Sequence, residues 1–334
     1  MRILVTGVNG FLGAHVAAQA LASGLKVWGL DLRQDARAAR LRASLQGPGV
    51  GTPGEPILRV SDMDSPSALQ ALLQEFQPAA VLHLAADLRR RVEPALEAQV
   101  FENNLRPALA LFDAVARLPQ AQRPVVVMPG SQMEYGDLPG PWTEDRSGSP
   151  SDPYARGKVA ATLALQQRQA AGELRGCVLR LPLVFGPGQA PVMFIPQLLV
   201  ALLQDQDFPM SAGTQRRRFV EVGEVASLLL ELARRLVAGE ALPPVLNCPA
   251  SEPLSIGEVA DRLVALVPGA RASALKRGAL GPIPPEPPQP WPDTTLAQQL
   301  GLGGTQDLDR GLALTARWYR ENPWFWEAAG GPAR

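Results

Sequence analysis

Through the first half of the chain, apolar positions follow two alternating patterns. Short contiguous apolar runs at Ile3–Val5, Lys26–Leu30, Ala79–Ala85, Pro124–Met128 and Cys177–Leu181 predict strands buried on both faces, as in a parallel sheet. Between them, Phe11–Leu25, Phe101–Leu118 and Tyr154–Ala171 place apolar residues at helical spacing and predict helices. Strand and helix in alternation imply parallel strands joined by right-handed crossovers. The product is a doubly wound α/β sheet of the Rossmann type, whose ligands bind beyond the carboxyl ends of the strands. From Gly186 onward, proline and glycine punctuate shorter segments, and the dense proline cluster at 279–292 excludes a helix interior or a central strand there. The expected organisation is a Rossmann domain over 1–185 with a return at about 215–247. Residues 186–334 are expected to be mainly a smaller mixed α/β C-terminal lobe that binds substrate.

Local chemistry sharpens this outline. The first strand runs into Gly7, Gly10 and Gly13, spaced G-x-x-G-x-x-G, and then into a helix. Gly7 allows the tight turn, Gly10 lets a pyrophosphate approach the backbone, and Gly13 lets helix and strand pack closely, while the helix N-terminus offers N–H groups to phosphate. The second strand ends at Asp31, about 20 residues on, where a carboxylate can hold the adenosine ribose hydroxyls. That favours NAD; Arg33, two residues later, would instead suit the ribose phosphate of NADP. Tyr154 and Lys158 are four residues apart on a predicted helix and so share a face. A phenol titrates near ~10 and exchanges protons poorly at neutral pH unless a cation stabilises its phenolate, a service Lys158 can provide. Ser131, just past a strand end, can hydrogen-bond the oxygen that Tyr154 protonates. The combination points to hydride transfer on a nicotinamide cofactor.

Composition narrows the class. The 334 residues are 46 % hydrophobic and 19 % charged with zero formal net charge, which suits a large core and leaves no electrostatic footprint for nucleic acid or an anionic membrane. No apolar run reaches transmembrane length and the N-terminus lacks a signal-peptide pattern, so a cytoplasmic protein is expected. Cys177 and Cys248 lack metal-ligand spacing, and His15 and His83 are the only histidines. A zinc site, a disulfide framework and a Ser-His-Asp mechanism all lack their parts.

Further motifs occur in order: Asp62, LHLAA over 82–86, Asn104, SQMEYG over 131–136, LRLPLVFGPG over 179–188, RRFVEV over 217–222 and LSIGE over 254–258. With them the chain resembles, nearly end to end, an extended short-chain dehydrogenase/reductase of the NAD-dependent epimerase/dehydratase family, which includes nucleotide-sugar epimerases, dehydratases and ketoreductases. The resemblance implies Ser131, Tyr154 and Lys158 as catalytic residues, with Lys158 also on the nicotinamide ribose. It implies an NAD contact set of Gly7, Gly10, Phe11, Leu12, Gly13, Asp31, Arg33, Asp62, Met63, Leu84, Ala85, Ala86, Asn104, Tyr154, Lys158 and Leu181, with NADP as the alternative. Asp62 would contact adenine, and Ala85 and Ala86 would line the ribose and pyrophosphate. Ser131, Gln132 and Tyr154 would face the substrate, and Arg217 its diphosphate, which a guanidinium fork suits. The other readings are a helix cap for Asp62, a back-bond within its helix for Asn104, and a solvated basic run for Arg216, Arg217 and Arg218. Tyr135 covers the nicotinamide pocket or simply packs. Trp291, Trp318, Trp324 and Trp326 read as core or interface anchors.

Departures from the family pattern set the expected reaction. Dehydratases carry an Asp-Glu pair directly after the Ser or Thr; here Gln132 and Met133 stand there, which disfavours loss of water. The Glu134–Gly136 turn, with Gly186–Gln189 and Pro191, is most similar to nucleotide-sugar 4-ketoreductases such as those acting on GDP-4-keto-6-deoxymannose. A 4-epimerase with resident NAD shares most of these motifs. Leu183 replaces an Asn common beside the diphosphate, and Gly223 replaces an acidic residue, which keeps a small polyol or sugar acid as an alternative substrate. A dinucleotide-binding redox sensor is the non-enzyme alternative, against which the intact Ser131, Tyr154 and Lys158 argue. Relatives dimerise through the helices matching Phe101–Leu118 and Tyr154–Ala171. Apolar residues beyond one stripe, Leu109, Leu111, Phe112, Leu163 and Leu165, imply a homodimer here too.

Overall fold

The structure, a computed structural model, describes residues 1–32, 35–45, 56–60, 63–90, 92–281, 291–303 and 307–327. Seven parallel strands form one sheet. β1 (Arg2–Thr6), β2 (Lys26–Asp31), β3 (Ile57–Val60), β4 (Ala80–His83), β5 (Val125–Ser131) and β6 (Gly176–Leu181) are joined by Val245–Asn247, which pairs with β6 at the edge. The order from that edge is β6, β5, β4, β1, β2, β3. Direction of winding therefore reverses between β1 and β4, where a doubly wound sheet opens its ligand crevice.

The helices α1 (Phe11–Ala22), α2 (Ala36–Ser44), α3 (Pro66–Phe76), α4 (Pro94–Ala116) and α5 (Pro153–Ala170) supply the crossovers. Leu69, Leu73 and Phe76 of α3 and Leu111, Phe112 and Val115 of α4 bury against Leu4, Val81, Val126 and Val178 of the sheet. Each such fully buried side chain contributes about 1.5–3 kcal/mol. Leu111, Phe112 and Leu165 are wholly inside this unit, while Leu163 is 42 % exposed, so most of the residues expected at a dimer face are core of the single chain. Gly157 explains how closely α4 and α5 pack: a Cβ there would lie 2.8 Å from Asn104 Cβ and 2.9 Å from Phe101 O.

Element limits differ from expectation for local reasons. α4 begins seven residues before Phe101, because Pro94 at its first turn needs no hydrogen-bond acceptor and presets φ. α5 starts at Pro153, capped by Asp152 accepting from Ala155 N at 2.9 Å. β5 runs three residues past Met128 and includes a proline. Pairing with β4 stops at Val127, so the N–H missing at Pro129 costs no ladder bond on that side.

The chain divides into two compact units. One comprises 1–181, 226–248 and 290–302, so the return begins later than 215 and a further segment that the sequence assigns to the second lobe belongs with the sheet. Asn247, in 226–248, is fully buried and ties that further segment down: Oδ1 accepts from the Tyr135 hydroxyl at 2.8 Å and Nδ2 donates to Trp142 O and Asp293 O. The other unit comprises 182–225, 249–289 and 303–334. It is mixed α/β, with strand pairs Leu183–Phe185 with Phe219–Glu221, Phe208–Met210 with Leu275–Arg277, and antiparallel Arg216–Arg217 with Leu254–Ser255. Trp318, at the centre of edge-on contacts with Tyr319, Trp324 and Phe325, is a core anchor. Most of the proline cluster, 282–290, lies outside the described residues.

Candidate active site

The glycine turn is built by close backbone contacts. Gly7 has φ +67°, and a Cβ on it would sit 2.7 Å from Ala85 N; one on Gly13 would sit 2.1 Å from Gly7 O. The turns after β1 and β4 thus touch along their backbones. Gly10, at the N-cap of α1, makes no side-chain cap, which leaves the first-turn N–H groups of Phe11, Leu12 and Gly13 directed at a ligand position rather than at a protein side chain. Asp31 takes Asn9 N at 2.9 Å on one carboxylate oxygen and Leu32 N at 2.8 Å on the other, and each oxygen keeps a lone pair for a ribose hydroxyl. This donor and acceptor set fits an NAD pyrophosphate and ribose. Arg33 and Asp62 lie outside the described residues. Met63 is buried in the core cluster.

Beside the turn, Thr6 has its oxygen filled. It accepts from Leu84 N at 3.1 Å and Ala85 N at 3.3 Å, so its hydroxyl hydrogen goes to His83 Nδ1 at 2.8 Å, and the neutral imidazole carries its proton on Nε2. Burial, reinforced by the charge of Lys158, pushes His83 down to about 3. The unfolded chain protonates this histidine below about 6.5 and the folded chain resists until about 3. Stability is therefore lost as pH falls through that window, at roughly 1.4 kcal/mol per unit. Between pH 7 and pH 5, the stability gap between wild type and His83→Gln should shift by roughly 2 kcal/mol in favour of the variant. Urea unfolding at both pH values measures it; a constant gap would show that His83 takes up its proton in the folded state.

Asn104 uses both amide hydrogens, on Val100 O and Asp87 O at 2.9 Å each, and accepts from Asp87 N at 3.2 Å. It fastens the loop after Ala85 and Ala86. Its back-bond to Val100 is the helix-internal one its position suggests, with the loop contacts added.

Ser131, Tyr154 and Lys158 come together where β5 ends against α5. A side-chain hydrogen bond from Ser131 lowers the Tyr154 pKa, but burial outweighs it and pushes the phenol up to about 12. Lys158 Nζ donates to Pro129 O at 3.1 Å and lies 5.9 Å from the Tyr154 ring centre. Burial pulls it down to about 8, opposed by Glu134. Gln132 Oε1 is a buried atom with no hydrogen-bond partner among the described residues. Leu181 pairs with Ser131 across the ladder. Tyr135 is wholly buried, stacked on Trp142 at 5.0 Å, so it packs rather than covering a pocket. Arg217 stands half-buried on its short strand in the second unit and donates to Arg216 O at 2.7 Å.

Three contributors have roles that the sequence does not announce. Arg42 of α2, 4 % exposed, donates to Asn9 Oδ1 and Val8 O under the glycine turn. Glu134 and Arg180 form a buried ion pair behind Ser131. An arginine inside the apolar strand 177–181 is itself a signal, because such a charge requires a buried partner. Among the described residues there is no cluster of metal-ligating side chains, and no helix is long and apolar enough to cross a membrane.

The model of the NAD dependent epimerase/dehydratase family matches residues 3–248. The chain belongs to this family. As an epimerase/dehydratase family enzyme, it is 33 % identical over 195 residues to a UDP-glucose 4-epimerase of Mycolicibacterium smegmatis, an alignment spanning 57 % of this chain and 58 % of that protein. It is 26 % identical over 337 residues to a dTDP-glucose 4,6-dehydratase of Xanthomonas campestris, covering 96 % and 93 %. Among solved structures, MoeE5 in complex with UDP-glucose and NAD superposes with a TM-score of 0.75 at 29 % identity, over 97 % of this chain and 100 % of that one. The family is NAD-dependent, and the doubly wound α/β fold is the one its solved members share.

Proposed function

We propose that this enzyme transfers hydride between NAD and C4 of a nucleotide-linked hexose, in the direction of ketone reduction, with a 4-keto-6-deoxyhexose as substrate. The observation that carries the reading is Tyr154 one helical turn from buried Lys158 on α5, with the Lys158 ammonium bonded to Pro129 O, two residues before Ser131 at the end of β5. With the glycine turn and Asp31 holding the cofactor, reduced NAD would supply the hydride for reduction. In reduction, Tyr154 donates its proton to the carbonyl oxygen as charge develops there, Ser131 polarises that oxygen, and the Lys158 ammonium stabilises the phenolate left behind. Lys158 also holds the nicotinamide ribose, and Arg217 serves the diphosphate.

Dehydration lacks a proton-transfer group. Gln132 and Met133 cannot act as acid or base, and Glu134, the next residue along, has both oxygens engaged, one by Ser131 N and one by Arg180. A second reading, 4-epimerisation with resident NAD, is favoured by the 33 % identity to a UDP-glucose 4-epimerase. A homodimer through α4 and α5 belongs to the same proposal, with exposed Leu163 on its face.

The test is an assay with reduced NAD and dTDP- or UDP-linked 4-keto-6-deoxyglucose, beside one for interconversion of UDP-glucose and UDP-galactose. Net consumption of reduced NAD with the keto sugars supports the reductase. Interconversion without net consumption makes the enzyme an epimerase. Inactivity in both, with NAD still bound, would turn the search to small polyols and sugar acids, and inactivity there as well would leave the sensor.

A further inference from the structure

Behind the serine lies a charged pair that the proton transfer itself does not use. Glu134 and Arg180 have side chains 0 % and 1 % exposed, with Arg180 Nε donating to Glu134 Oε2 at 3.0 Å. Glu134 Oε1 accepts Ser131 N at 2.8 Å while Ser131 Oγ accepts Met133 N at 3.1 Å, a reciprocal capping box around the single turn Gln132–Tyr135. The rest of the guanidinium donates to Arg146 O at 2.8 Å, Glu144 O at 3.4 Å and Ser147 Oγ at 3.0 Å, and it lies 4.6 Å over the Tyr135 ring. Strand register sets Arg180 opposite Gly130, the residue before Ser131. A Cβ on Gly130 would come within 2.4 Å of Glu134 Oε1, so the strand end is shaped around this carboxylate.

Stability is a poor explanation for the arrangement. Removing two charges from water costs several kcal/mol, and an apolar pair of equal volume commonly serves a core as well or better. Location offers a better one: the carboxylate grips Ser131 N, and two residues earlier on the same strand Pro129 O accepts from Lys158 Nζ at 3.1 Å.

We propose that the Glu134–Arg180 pair positions the active site, Glu134 fixing the Ser131 backbone and placing a buried carboxylate at the strand end to which the Lys158 ammonium is bonded through Pro129 O. Titratable groups that act on or with Lys158 are Glu134 from the turn after β5, His83 from β4 and Tyr154 from its own helix. His83 and Tyr154 are both uncharged near neutral pH, which leaves Glu134 as the anion. Its charge raises Lys158 against burial and raises Tyr154 as well. Arg180 Nε, bonded to Glu134 Oε2, keeps the carboxylate aimed. The inference rests on the reading of Tyr154 and Lys158 as the proton-transfer couple, and its test needs neither substrate nor turnover.

Lys26, Lys158 and Lys276 are the only lysines. In full-length protein labelled with 13Cε-lysine, three NMR signals can be followed through pH, Lys158 being the one absent in Lys158→Met. Wild type should show a Lys158 midpoint near 8. Glu134→Gln should lower it by about one unit, since the amide keeps the volume and removes the charge. The double variant Glu134→Leu with Arg180→Met removes both charges without leaving either unpaired, and should show the same downward shift with a cooperative melt. It also gives the answer if the single variant fails to fold. An unchanged midpoint in either folded variant overturns the proposal. Wild-type turnover by Tyr154→Phe would instead overturn the functional reading, whatever the titration shows.

Discussion

Replacing Tyr154 with Phe is expected to lower the rate of hydride transfer by about 10²–10⁴-fold, the range contributed by a positioned acid or base, and to leave NAD affinity within a few-fold of wild type. The ring keeps its packing on α5 and loses only the hydroxyl that Ser131 contacts. In the proposed site, cofactor recognition is assigned to other groups, the glycine turn and Asp31. Single-turnover reduction of a 4-keto sugar, with NAD binding followed by fluorescence titration, separates the two quantities. Loss of both in parallel would point to misfolding instead.

Changing Gly13 to Ala should abolish NAD binding and destabilise the fold by at least ~2 kcal/mol, as overpacking against rigid neighbours does. The new Cβ would lie 2.1 Å from Gly7 O and 2.8 Å from Val8 Cα, and both are backbone atoms that no rotamer change can move. Relief requires α1 to draw away from β1, which would displace the first-turn N–H groups from the pyrophosphate position. Thermal unfolding with and without NAD reads the outcome: a lower melting temperature and no NAD-dependent rise. Gly24 makes the contrast, since a Cβ there meets nothing within 4 Å. At φ +73° an alanine in its place would carry backbone strain but should leave NAD binding intact.

Much of the dinucleotide-binding half was legible because its signals are local. A strand, a glycine turn, a helix and an acid follow one another within Ile3–Asp31, and the four-residue spacing of Tyr154 and Lys158 places them on one face by helix geometry alone. Features that depend on distant partners were not. Glu134 and Arg180 are 46 positions apart, and only the ladder between β5 and β6 brings them together. For Tyr135 the sequence left pocket cover and packing open, and only its distant partners Trp142 and Asn247 decide for packing. Leu111, Phe112 and Leu165 illustrate a limit of pattern reading: an apolar residue covered by its own chain has the same spacing as one covered by a second copy. At Tyr154 a neighbouring cation is visible in sequence, whereas the burial that opposes it is set by the whole fold.

The central claim is that hydride passes directly between the nicotinamide ring and C4 of the sugar under control of Tyr154. Incubation with C4-deuterated reduced NAD and dTDP-4-keto-6-deoxyglucose, followed by NMR of the recovered sugar, tests it most directly. The account predicts deuterium at C4 of the product in wild type and none in Tyr154→Phe over the same time. Product without deuterium, or equal incorporation by the variant, would contradict it.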